Sequence, residues 1–237
     1  MRLLASIIFF YLYLCAIKTI RTMKKAVVTL LLCVAWTLTA GAQHTVESIR
    51  KQYQGVHEWI AEMSDNFPSE GIPSEYFDLH ITKNLPASGP HDERIRLYHG
   101  ELESGEEGDP YPPRYLRFAT AKYNYAAREY YEEYLYDDKG NVLFVYAITP
   151  DVDGDMTPYE LRMWYDGKRL LRFTVKKPEK PLEYIDLKTI KKATFKEVYA
   201  GKTIPEQYES EVFRCDQQAQ RMILLFKGID QNSYLPL

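Results

Sequence analysis

Asp151-Val152-Asp153-Gly154-Asp155 sets three carboxylates at alternate positions. That is how a calcium loop begins, because Ca²⁺ is a hard cation that gathers several oxygen ligands from one turn. In a twelve-residue loop counted from Asp151, the sixth position needs a turn glycine and the twelfth a bidentate glutamate. The chain has Met156 and Arg162 there, and its nearest acid is Glu160. Asp151, Asp153 and Asp155 are therefore the candidate metal ligands, with Ca²⁺ the only cofactor suggested. A solvated turn between strands is the simpler reading, since Asp and Gly are good turn formers.

Aromatic and cationic side chains offer a second chemistry. The chain holds 20 tyrosines, many on segments that alternate like strands. If those strands pair in chain order, one polar sheet face carries Tyr115, Arg117, Arg162, Trp164 and Arg172. Guanidinium forks grip carboxylates or sulfates, and aromatic planes stack on sugar rings. These five are the candidate ligand-binding residues. The competing explanation is structural, because tyrosine suits a half-wet sheet face whether or not a ligand visits it.

Catalytic signatures are missing. His57-Glu58 has Ala61 where a zinc protease needs its second histidine. His80, His91 and His99 lie on neighbouring segments, with no metal-ligand spacing. Glu132 and Glu133 are adjacent on a strand, so they point to opposite faces and cannot share a reaction as acid and base. There is no nucleophile elbow, no phosphate-cradling glycine loop and no paired-cysteine motif. No catalytic residue is assigned. A deep pocket with Asp or Glu beside His would point to catalysis; an exposed Tyr, Trp and Arg face without a buried ionisable cluster would point to binding.

The elements that must position these groups are legible from periodicity. Residues 44–63 recur apolar at Val46, Ile49, Tyr53, Val56, Ile60 and Met63, one face of a helix. From residue 76 the period becomes two, and strands are expected at 76–82, 94–102, 115–123, 129–136, 142–149, 159–165 and 169–175. Gly140 and Gly167 mark tight hairpins. Residues 186–200 read as a helix with Leu187, Ile190, Thr194 and Val198 on one side and Gly201 as its stop, and residues 206–227 as another with Tyr208, Val212, Cys215, Ala219, Met222 and Phe226 on one side and Gly228 as its stop. The expected fold is α+β: an antiparallel meander of six or seven strands (sheet core about 76–175) with an N-terminal helix and a helical C-terminal part (about 186–228) packed on it.

The N-terminal region addresses the chain. Residues 23–42 carry two lysines, an apolar run and Ala40-Gly41-Ala42, a secretory signal with a small-x-small cleavage site. Residues 1–22 hold another apolar run, explained by translation starting at Met23 or by a membrane anchor. Loss of residues 1–42 removes Arg2, Lys18, Arg21, Lys24 and Lys25 and no acid, leaving 25 Lys+Arg against 33 Asp+Glu, a net charge of −8 in place of −3. An acidic chain is a poor nucleic-acid binder. Cys15 and Cys33 leave too, so Cys215 has no partner for an intramolecular disulfide and reads as a core residue.

The signal ending before Gln43, the segment TVESIRKQYQ and the hairpin YEEYLYDDKGNVLFVY together resemble exported Bacteroidota proteins of α+β type that have no assigned activity. The resemblance implies an envelope or extracellular location and brings no catalytic residues. The expected protein is thus a single domain over 43–237, periplasmic or extracellular. It is a non-catalytic envelope module that binds a ligand or a protein partner, with membrane contact only if residues 1–42 are retained. The alternatives are a hydrolase acting on envelope or dietary polymers and a calcium-stabilised structural domain.

Overall fold

Thr45 and Ser48 start the first helix by capping each other. The Thr45 amide donates to Ser48 Oγ at 3.0 Å and the Ser48 amide to Thr45 Oγ1 at 3.1 Å, satisfying amides that a helix start leaves without partners. This helix, α1, runs Val46–Asn66. The structure is a computed structural model that describes residues 44–66, 76–102, 112–151, 157–180, 187–190 and 192–232.

Eight strands follow: β1 Tyr76–Leu85, β2 Gly89–Glu101, β3 Arg114–Tyr125, β4 Arg128–Tyr136, β5 Val142–Pro150, β6 Pro158–Asp166, β7 Arg169–Pro178 and β8 Phe195–Gly201. A one-turn helix α2, Leu187–Ile190, precedes β8. A 3₁₀ turn, Glu206–Tyr208, leads into the last helix, α3, Glu209–Asn232. Every strand is antiparallel to its chain neighbour, in the order β1 to β8. The α+β meander is as expected, and the hairpin glycines adopt the left-handed backbone that their turns need, φ +81° at Gly140 and +59° at Gly167.

The two long helices cover opposite faces. Ile49, Val56 and Met63 of α1 pack on Tyr98, Phe118, Leu135, Leu143, Phe144 and Trp164. Val212, Cys215, Ala219 and Met222 of α3 pack on Ala119, Tyr134, Val145, Leu161, Met163 and Phe173 of the other face. With both faces covered, the central strands are apolar on both sides, as β5 shows with seven of its nine residues buried.

Three expectations need correction. Among the described residues the sheet has eight strands, not six or seven, because residues 195–201 are β8 rather than the end of a helix over 186–200. Without β8, β7 would be an open edge of unpaired amides and carbonyls. Phe195, Val198 and Tyr199 have the side chains a strand favours, and the ladder outweighs a weak helical stripe. Val198, counted on that stripe, is the extra residue of a bulge opposite Val175 and Lys176 and is 51% exposed. The helical C-terminal part is accordingly α2 and α3 with a strand between them. Finally, α3 does not stop at Gly228 but continues to Asn232: a glycine weakens a helix without ending it unless the backbone turns left-handed there.

Candidate functional site

Tyr115, Arg117, Arg162, Trp164 and Arg172 share one face, the α1 face, but it is not open. Trp164 is 3% exposed and packs on Phe144 with ring centroids 5.1 Å apart. The guanidinium of Arg50, from α1, lies 5.4 Å from its ring centroid. Arg172 stacks on the same ring at 6.0 Å and reaches Glu197 at 3.6 Å. Arg117 covers Trp59 of α1 at 4.9 Å. Arg162 lies over Tyr146 at 5.4 Å and donates to Glu160 at 2.9 Å. Tyr115 folds over Gly100, where an added Cβ would stand 2.7 Å from its ring.

Of the candidate metal ligands, Asp153 and Asp155 lie outside the described residues. Asp151 pairs with Lys177 at 2.9 Å. Among the described residues no three His, Cys, Asp or Glu side chains stand together as a cation site. The histidines go separate ways: His80 to Asp92 at 2.7 Å, His91 to the Asn124 carbonyl at 2.6 Å, and His99 between Phe77 and Phe226. No helix among the described residues is long and apolar enough to cross a membrane.

The adjacent acids Glu132 and Glu133 lie on opposite faces, each buried among tyrosines. On the α1 face, Glu133 accepts from Tyr53, from Tyr131 at 2.6 Å and contacts His57 at 3.3 Å. Burial opposes its ionisation, but the hydrogen bonds from His57, Tyr131 and Tyr53 together outweigh that and hold its pKa below the ordinary 4.5. A depressed carboxyl contributes stability that is fully present above the unfolded-state value and lost as pH falls through the folded one. Acidification from about pH 5 to pH 3 is therefore expected to lower the melting temperature, and Glu133→Gln to flatten that dependence. Paired melting curves check it; equal slopes for the two proteins would refute it.

On the α3 face, Glu132 is fully buried. Tyr123 donates to it at 2.8 Å, Tyr134 at 2.5 Å, and Arg214 of α3 donates to the same carboxylate. Burial works against the Arg214 charge, but Glu132, and Glu211 at 2.8 Å, hold its pKa above the ordinary range. Burial and Glu132 push the Tyr123 hydroxyl up, so it stays a neutral donor. Farther along α3, Arg221 forks onto buried Glu93 at 2.5 and 2.8 Å.

Above the Glu132–Arg214 pair opens a cleft of about 680 Å³ between the β3–β4 hairpin, β6, β7 and the first turns of α3. Such a volume suits a small ligand. Tyr123 and Tyr130 stack in its wall at 4.9 Å and 7°, and Arg214 lies over Tyr130 at 4.8 Å. Among the described residues every carboxylate in or beneath the wall is engaged: Glu132 as above, Glu211 by Arg214 and by Thr149 at 3.1 Å, Asp151 by Lys177. No histidine lines it among the described residues.

The sequence criteria are thus met in neither simple form. The Trp-bearing face is covered, and ionisable clusters are buried, yet the cleft has no acid beside a histidine. Sequence reading passed over Arg214 and Arg128. The one local signal was Arg214 itself, a charged residue beside the buried Cys215 and three residues after Glu211. Compared with protein families, with curated proteins and with solved structures, the chain matches none.

Proposed function

We propose that the protein is a non-catalytic binding module of the cell envelope or its surroundings, exported by the signal at residues 23–42, and that it takes a small polar ligand into the α3-face cleft. One observation carries the reading: the cleft is roomy and aromatic, yet among the described residues each carboxylate that lines it is held by a cation or a hydroxyl, and none stands free as a general acid or base. Ser210 lines it without a histidine to activate it. The acidic charge balance argues against a nucleic-acid partner.

A saccharide and small-acid panel, followed by thermal shift and by mass analysis of the recovered ligand, tests this on the natively expressed protein. The expected result is a raised melting temperature with the ligand returned intact. Cleaved product, lost on substitution of a cleft carboxylate, would replace the module with the hydrolase acting on envelope or dietary polymers.

A further inference from the structure

We infer that the cleft selects a sugar ring bearing a single carboxylate, a uronic-acid residue of an acidic saccharide; the inference rests on the reading of the cleft as a binding site. Among the described residues three cations line the cleft, and two are paired with carboxylates. Arg214 spends its guanidinium on Glu132, Tyr123 and Glu211. Lys177 holds Asp151 at 2.9 Å. Arg128 differs: its charge acts on the nearby Tyr130 hydroxyl, and among the described residues it forms no ion pair with a carboxylate.

Register places a ring next to that charge. Tyr125 is directly opposite Arg128 across the β3–β4 ladder, and Tyr123 is opposite Tyr130 one step inward on the same face. Tyr125 is 48% exposed, one of four large apolar or aromatic residues so open among the described residues. A guanidinium fork with no carboxylate partner among the described residues, beside an open aromatic plane, suits a ligand that joins a carboxylate to a stackable ring. Gln207 and Ser210 add amide and hydroxyl groups to the lining, which suits a polyhydroxylated ring better than a plain aromatic acid.

The charge count sets the anion. Among the described residues a phosphate dianion would meet one cation without a carboxylate partner, and the carboxylates of Asp151 and Glu211 in the same cleft. A carboxylate monoanion matches that one fork. A neutral sugar would keep the stacking and forgo the ion pair.

Isothermal titration of the full chain tests this with four probes: an oligogalacturonate, the neutral oligogalactoside of equal length, benzoate and inorganic phosphate. The oligogalacturonate is expected to bind most tightly, to weaken with added salt, and to lose about tenfold or more in affinity in Arg128→Gln. Tyr125→Ser is expected to weaken both oligosaccharides. Both side chains are outside the packed core, and unchanged melting curves verify that the variants fold. Equal affinity for the neutral oligomer, or an Arg128→Gln protein that binds the acidic one normally, overturns the carboxylate selection while the cleft stands as a binding site. Tighter binding of benzoate or phosphate overturns the uronate assignment in the same way. No binding by any probe overturns the assignment and, with a blank saccharide and small-acid panel, the reading of the cleft as well.

Discussion

Arg214→Met is expected to destabilise the protein by about 3–5 kcal/mol, because it strands the Glu132 carboxylate without its cation. Glu132 is fully buried and the Arg214 side chain is 25% exposed, so water screens the pair little. The cost comes from an uncompensated charge, not from a lost attraction, and this makes a second outcome predictable. Adding Glu132→Leu removes the stranded charge and is expected to recover part of the loss. The Tyr123 and Tyr134 hydroxyls would then lack an acceptor, at about 1–3 kcal/mol each. Recovery should therefore approach completion only when both also become phenylalanine. Urea unfolding of the series measures each step. A single-variant loss below about 1 kcal/mol would place the pair among solvent-screened surface bridges and end this account of the cleft floor.

Trp164→Ala is expected to cost about 3–5 kcal/mol as well, the usual penalty for emptying a large aromatic site. The ring is 3% exposed and packs with Phe144, under α1 and between two guanidinium groups. The result separates two roles for this residue. A core tryptophan lowers the melting temperature and leaves cleft affinity intact in the folded fraction. A ligand-contacting one would do the reverse, and an unchanged melting temperature would falsify the packing assignment.

The sequence made the hairpins and both long helices legible, because their signals are local. Gly140 and Gly167 supply left-handed turns, and the apolar stripes of α1 and α3 recur every three or four residues. The β3–β4 turn was harder to see, since Ala126 takes φ +52° without a glycine or asparagine to announce it. Bulges erased the simple alternation. Leu116 and Phe118, two positions apart and so on one face of a regular strand, lie on opposite faces because Arg117 is the extra residue opposite Tyr98 and His99. Leu143 and Phe144, though consecutive, both face α1 for the same reason. A one-residue insertion reverses every later side chain, and nothing in the composition marks where it falls.

The candidate site was less legible than the fold. The five Tyr, Trp and Arg residues do share a face, as period two implied, but periodicity does not say which helix lies over which face. Arg128 and Arg214 are 86 positions apart in the chain and meet the same cleft only because α3 returns across β3 and β4. The isolated signals were ordinary: an arginine after a turn, and an arginine on a helix.

Sequential strand order also shapes how the chain acquires its form. Each strand pairs with its chain neighbour, in five of seven cases across seven residues or fewer, so most ladder contacts are local and the entropy lost in closing those loops is small. Hairpins of this kind close in about 1–10 μs, and the sheet can grow by adding one strand at a time as the polypeptide emerges. The two long helices differ in timing. Helix α1 is made first, yet its resting place needs strands as late as β6, whereas α3 arrives last onto a face already assembled. The nascent sheet must therefore wait until the 24 residues of α3 are made before that face is sealed.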